Sequence, residues 1–277
     1  FDFDVSLDLP ESGVTVLFGE SGCGKTTLLR CIAGLEPHAV GRCKLANETW
    51  QDDQVFVPTH KRSIGYVFQD ACLFDHLDVS ENIQFGMKRT GQTLDSALDV
   101  AVELLGISHL LDRKPSHLSG GEKQRVAIAR ALALKPKILL MDEPLASLDS
   151  SRKQDILPYL KALRYELSIP LIYVTHAGNE VTQLADHLVV MQGGKVLTAG
   201  AIQTVLSEVN FPIQLDGDFS TVLTGTIVEI DSRWHLTKVD IGRGYLWITG
   251  DVGGIGNAVR LQILGKDISL ATTLGQS

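Results

Sequence analysis

The stretch Val14-Thr15-Val16-Leu17-Phe18-Gly19-Glu20-Ser21-Gly22-Cys23-Gly24-Lys25-Thr26-Thr27-Leu28-Leu29-Arg30-Cys31-Ile32-Ala33 decides the fold. Val14 to Phe18 read as a buried strand, and Gly19 to Gly24 as a glycine-rich turn. From Lys25 onward Leu28, Leu29 and Ile32 recur at helical spacing; Gly34 can cap that helix and Pro37 prevents its continuation. The turn matches G-x-x-x-x-G-K-[ST] through Gly19, Glu20, Ser21, Gly22, Cys23, Gly24, Lys25 and Thr26, with Thr27 as a neighbouring contact. Glycines let the backbone wrap a phosphate chain with its N–H groups inward, and the helix N-terminus adds a favourable dipole. Lys25 supplies a charge to the β and γ phosphates, and the Thr26 hydroxyl is placed to ligate Mg²⁺. At average residue usage the pattern arises by accident roughly once in a hundred chains of this length, and strand-before with helix-after lowers that further.

Working outward, Ile138-Leu139-Leu140-Met141-Asp142-Glu143 is an apolar strand ending in two carboxylates. At such a strand end the first carboxylate helps hold Mg²⁺, and the second can orient the attacking water. Leu118-Ser119-Gly120-Gly121-Glu122 has capping-box spacing and opens a helix through Val126, Ile128 and Leu132 to Leu134, which Pro136 ends. Its hydroxyl, two small glycines and free helix N–H groups also make an anion site. A further helix starts near Ser150 with Ile156, Leu160, Leu163 and Leu167 on one face, and Pro158 inside it should bend or strain it. The segment from about 70 to 117 is less regular and reads as helical only between about Thr93 and Leu111. Leu171 to Val174 is a strand; Leu188 to Met191, Gly193-Gly194 and Lys195 to Leu197 form a hairpin. After a short helix at 201–208, alternation over Gly225–Ile230, Tyr245–Ile248 and Val259–Ile263 marks a small β extension.

Composition sets bounds. The chain has 277 residues and a net charge of −8, from 33 acidic and 25 basic residues, which argues against a protein that coats nucleic acid. No apolar run reaches the ~18 residues that cross a bilayer. Cys23, Cys31, Cys43 and Cys72 form no metal-type spacing and read as free thiols in a reducing compartment. Cys23, beside a lysine at a helix N-terminus, is a candidate for alkylation that blocks the phosphate loop; a small residue tolerated in the loop is the blander alternative.

Gly19–Thr26, Leu118–Glu122 and Ile138–Glu143, in this order and spacing, resemble the ABC transporter ATPases. Gln69 in Tyr66-Val67-Phe68-Gln69-Asp70, Asp149 in Ala146-Ser147-Leu148-Asp149 and His176 in Val174-Thr175-His176 extend the likeness over about residues 5 to 205. The resemblance implies an α/β P-loop domain over 1–208 with a helical subdomain at about 70–134, and an OB-like C-terminal β domain begun at 215–277. It implies that two subunits sandwich two ATP molecules head to tail, each touching one phosphate loop and Ser119, Gly120 and Gly121 of the other copy. Glu143 is then the general base, His176 the γ-phosphate contact, Gln69 a contact to Mg²⁺ or the attacking water, and Asp149 an interface residue. Thr26, Gln69 and Asp142 form the Mg²⁺ set. The resemblance also implies an aromatic residue near the first strands that stacks on adenine; Phe1 and Phe3 are the candidates, and the sequence does not choose between them or assign the role.

Among such ATPases the chain is most similar to those of bacterial molybdate importers, through Arg62 to Ala71, Leu118 to Ala133, Met141 to Asp149 and Asp155 to Leu160, and through Val259 to Ile263 and Lys266 to Leu270. The likeness implies molybdate or tungstate uptake, with importers of sulfate, iron or sugar as the alternative. It implies integral membrane permease subunits and a periplasmic or surface solute-binding protein; the expected dock is Asp70–Met87, where Cys72, Leu73, Phe74, Leu77 and Phe85 offer apolar contacts, with ordinary packing inside the subdomain as the alternative for those residues. The place it implies is the cytoplasmic face of the cell membrane. A soluble ABC ATPase acting on nucleic acid is disfavoured by the acidic charge. A nucleotide-gated dimer without turnover is disfavoured by Lys25, Asp142, Glu143 and His176.

Overall fold

The computed structural model describes residues 3–90, 96–207, 220–250 and 252–264. In chain order its elements are β1 (Val14–Phe18), α1 (Lys25–Ala33), β2 (Cys43–Leu45), β3 (Glu48–Gln51), β4 (Ile64–Val67), α2 (Val79–Thr90), α3 (Ser96–Leu104), α4 (Gly120–Leu132), β5 (Ile138–Asp142), α5 (Ser150–Glu166), β6 (Leu171–Thr175), α6 (Gly178–Leu184), β7 (His187–Gln192) and β8 (Lys195–Ala201). Then follow α7 (Ile202–Ser207), β9 (Ser220–Asp231), β10 (Leu236–Asp240), β11 (Tyr245–Thr249) and β12 (Ala258–Leu264). The chain divides into two compact units, Phe1–Gly200 and Ala201–Ser277. The division leaves the helix α7, grouped with the first domain in the sequence reading, on the second unit's side.

The first unit is built on a sheet of order β4-β5-β6-β1-β7-β8. β1, β5 and β6 are buried along their whole length, as a central strand covered on both faces requires. Parallel pairing sets Phe18 beside Thr175, Asp142 beside Val174 and Val67 beside Met141. The C-terminal ends of four strands therefore open on one edge, where an open α/β sheet binds its ligands. The core under that edge includes Leu17, Leu29, Leu140, Val174, Val189 and Met191. β7 passes to β8 through Gly193 and Gly194, both at positive φ, the geometry a two-residue hairpin turn needs.

The helical segment departs from the sequence expectation. α2 is a full helix where irregular chain was expected. Its start carries a recognisable signal: Asp78 accepts from the Glu81 N–H at 2.7 Å and Glu81 accepts from the Asp78 N–H at 2.9 Å. The helix expected over 93–111 is shorter, α3, because the chain turns left-handed at Gly106, φ 61°. Pro158 does sit inside α5. Both it and Gln154, whose carbonyl loses its partner, are exposed, so water can replace the missing bond. α6 and the strands β2, β3, β4 and β10 were not anticipated.

The second unit is an antiparallel sheet of order β11-β10-β9-β12, with α7 packed on β9. Lys238 lies 4.9 Å from the Tyr245 ring and 5.3 Å from the Trp247 ring on its exposed face. Residues Lys266 to Leu270, part of the resemblance above, lie outside the described residues.

Candidate active site

The turn from β1 to α1 is held by its own lysine. Lys25 is buried, and its ammonium donates to the Gly19 carbonyl at 2.8 Å and the Glu20 carbonyl at 2.9 Å, with Cys23 Sγ at 3.7 Å. Gly22 and Gly24 take φ of 82° and 103°, which puts successive N–H groups around one concavity. Gly19 is small for a separate reason: a Cβ there would lie 2.2 Å from the Met191 carbonyl oxygen and 2.8 Å from Cys23 Sγ. Glu20, Ser21, Gly22 and Thr26 are exposed on the open side, and Thr27 is half-buried. Cys23 is 5% exposed and packs in the core cluster, so the reagent access expected of a reactive thiol is not offered.

Asp142, at the end of β5, joins this turn to the sheet. It accepts from the Thr26 hydroxyl at 2.8 Å and from the Tyr66 hydroxyl at 3.1 Å. Burial, and then the Asp142 carboxylate, push the Tyr66 phenol well above its usual value, so Tyr66 remains a donor. Next in the chain, Glu143 takes φ 44°, an uncommon conformation for a non-glycine residue, while its N–H donates to the Val174 carbonyl at 3.1 Å. The twist aims its carboxylate across the strand ends, where Oε2 lies 3.1 Å from Nδ1 of His176. Thus Lys25, Thr26, Asp142, Glu143 and His176 are brought together on the edge the sheet defines.

Among the described residues no hydrogen bond or ion pair joins Gln69, Ser119, Gly120, Gly121 or Asp149 to that group. Gln69 is exposed just beyond β4. Its loop is held from α4: Gln124 donates to the Phe68 carbonyl at 3.3 Å, and Arg130 to the Ala71 and Cys72 carbonyls at 3.1 and 2.8 Å. Ser119 and Glu122 form the reciprocal capping box that the spacing predicted. Gly120 and Gly121 also have a packing role, since a Cβ on Gly120 would sit 2.9 Å from Leu148 and one on Gly121 3.3 Å from Ile156. Asp149 caps α5, accepting from the Arg152 N–H at 3.0 Å and the Ser151 hydroxyl at 2.7 Å. Those two bonds hold its carboxyl below the usual range. Phe3 packs against the core of the first unit, and Phe1 lies outside the described residues.

Sequence reasoning did not single out Tyr66 as a partner of Asp142, nor Glu180. Tyr66 sits one β-pair from the site, and only the β4-to-β5 register shows its reach.

A phosphate loop feeding a helix, a strand-end Asp-Glu pair and a histidine on the same edge of a parallel sheet define a P-loop ATPase. The chain belongs to the ABC transporter family, whose model matches residues 3–146. It is 56% identical over 272 residues to the molybdenum import ATP-binding protein ModC of Methylococcus capsulatus, covering 98% of this chain and 76% of that protein. To the protein of the same name from Thiobacillus denitrificans it is 54% identical, covering 98% and 75%. Among solved structures it resembles cbiO1 of Clostridium perfringens, described as part of the ABC transporter complex cbiONQ, at 32% identity and TM-score 0.64 over 75% of this chain and 86% of that one. It also resembles a dimeric ATP-binding cassette in a post-hydrolysis state bound to ADP and Pi, at 29% identity and TM-score 0.60, over 72% and 89%. No helix among the described residues is long and apolar enough to cross a membrane.

Proposed function

We propose that this chain is the ATP-hydrolysing subunit of a molybdenum importer, working as a pair of copies on membrane permease subunits. The observation that carries the reading is the meeting of Thr26, Asp142, Glu143 and His176 at the strand ends, in a chain more than half identical to molybdenum import ATP-binding proteins.

The roles follow from chemistry. The N–H groups of Gly19 to Thr27 and the Lys25 ammonium bind the phosphates of ATP; an anion entering the loop takes the place of the carbonyls that now hold Lys25. The Thr26 hydroxyl and Asp142 carboxylate, 2.8 Å apart, are the hard oxygen donors Mg²⁺ prefers, and Gln69 is the third member of that set. When bound, Mg²⁺ neutralises charge on the phosphate oxygens. Water attacks the γ-phosphorus, its proton passes to Glu143, and the bond to ADP breaks. His176 orients Glu143 through their 3.1 Å contact and presents its exposed ring edge to the γ-phosphate.

Ser119, Gly120, Gly121 and Asp149, bonded to none of this group among the described residues, complete the site from a second copy. The dimeric neighbour bound to ADP and Pi supports that pairing. A solute-binding protein and a position on the cytoplasmic face of the membrane belong to the same reading. So does the assignment of the nucleotide domain to 1–208 and of a separate C-terminal domain to 215–277.

The test is turnover by this subunit assembled with its permease and binding protein. Stimulation by molybdate and tungstate but not sulfate, abolished in Glu143→Gln, is the expected result. Glu143-dependent turnover that ignores all three oxyanions would remove molybdenum from the proposal.

A further inference from the structure

Glu180 is 3% exposed, in the first turn of α6, and the mechanism above does not use it. A buried carboxylate survives only where its charge is answered. Here Oε2 accepts from the Tyr173 hydroxyl at 2.9 Å and the Thr175 hydroxyl at 2.7 Å, while Oε1 pairs with the Lys153 ammonium at 3.0 Å. Burial and the Glu180 carboxylate push the Tyr173 hydroxyl well above its usual value, so it stays a donor.

Thr175 works in both directions. It gives its proton to Glu180, and its oxygen accepts from the Ala177 N–H at 3.0 Å. Thr175 and Ala177 are the two residues flanking His176. The His176 side chain is half-exposed, and Glu143 is its one ring partner among the described residues. The bend that carries His176 is therefore fixed from beneath by the Thr175 hydroxyl, and the hydroxyl is fixed by Glu180. Lys153 brings in α5, the helix that Asp149 caps, and its own N–H donates to the Asp149 carbonyl at 3.0 Å.

We propose that Glu180 is a positioning residue for ATP hydrolysis: the buried relay from Glu180 through Thr175 to the Ala177 N–H sets the place of His176, and Lys153 ties the relay to the helix that begins at Asp149. The proposal rests on the reading of His176 as the γ-phosphate contact. Glu180 itself is too buried to meet nucleotide, so its effect passes through His176. Small displacements of a reacting group cost turnover steeply and leave binding of the rest of the substrate intact.

The test uses the full chain in single-turnover ATP hydrolysis. Thr175→Val keeps the β-branched shape in β6 and removes both bonds. Turnover should fall about tenfold to a hundredfold with KM for ATP unchanged, and Thr175→Ser should restore it. Glu180→Gln, which keeps size but drops the charge facing Lys153, should fall between. In a His176→Ala background Thr175→Val should add no further loss. The His176 ring resonances, identified by their disappearance in His176→Ala, should move in Thr175→Val. Full turnover in Thr175→Val, or the same fold loss with and without His176, would overturn the relay; the second result is what a purely structural role gives. If His176→Ala alone keeps full turnover, the reading of His176 fails first and the relay falls with it.

Discussion

Glu143 Oε2 lies 3.1 Å from His176 Nδ1, although the two residues come from the ends of different strands. Glu143 makes this contact from a left-handed backbone, φ 44°. Glu143→Gln preserves the shape and removes the carboxylate proposed to accept the proton. Turnover should drop about 10²- to 10⁴-fold, the range of general-base catalysis, with ATP affinity nearly unchanged. Phosphate release and fluorescent-nucleotide binding on the same samples check both halves. A parallel loss of binding would mean that Glu143 builds the pocket instead of acting in it.

The Thr26–Asp142 bond of 2.8 Å makes a different prediction. Thr26→Val deletes a hydroxyl that both donates to Asp142 and faces the open side of the loop. ATP binding without divalent cation should hardly change, because the loop N–H groups and Lys25 remain. Binding with Mg²⁺ should weaken by about tenfold, the size of one lost polar contact of roughly 1.4 kcal/mol. Titrations in EDTA and in MgCl₂ separate the two, and an equal loss in both would deny Thr26 a metal role.

What the sequence made legible was whatever rests on local rules. The phosphate loop announces itself because glycine meets the φ of 82° and 103° at Gly22 and Gly24 without steric cost, and the start of α4 because Ser119 and Glu122 satisfy each other. What stayed hidden depends on register or burial. Tyr66 reaches Asp142 only because β4 and β5 are neighbours. Glu180 lies in α6, a helix the sequence did not announce, and its burial is legible only once β6 supplies Tyr173 and Thr175. α2 escaped because Gly86 dilutes its pattern; that glycine sits where a Cβ would come 2.7 Å from Leu134.

Gly19 gives a stability prediction. Its missing Cβ leaves room for the Met191 carbonyl, 2.2 Å from where the atom would sit, and that oxygen belongs to backbone of β7 that cannot swing aside. Gly19→Ala should destabilise the chain by about 1–3 kcal/mol, the usual cost of overpacking, and weaken ATP binding as the loop shifts. Urea unfolding monitored by circular dichroism gives the first figure. An unchanged midpoint would show that the β1-to-α1 turn relaxes freely.

His187, the first residue of β7, sets an acid limit on the fold. Burial lowers its pKa below the ordinary 6.5, and its Nδ1 is buried without a partner among the described residues. The unfolded chain then binds a proton at a higher pH than the folded chain does. In the window below pH 6.5 the unfolded state carries more protons, so stability rises with pH there and falls as the solution is acidified. β7 pairs with β1 at Thr15↔His187, so a charge at this point loads the strand that leads to the phosphate loop. His187→Asn removes the titration while keeping a polar side chain. The unfolding free energy of the parent should decline between pH 7 and pH 5.5, and the variant's decline should be shallower by the part His187 contributes. Equal slopes would place the acid sensitivity elsewhere in the chain.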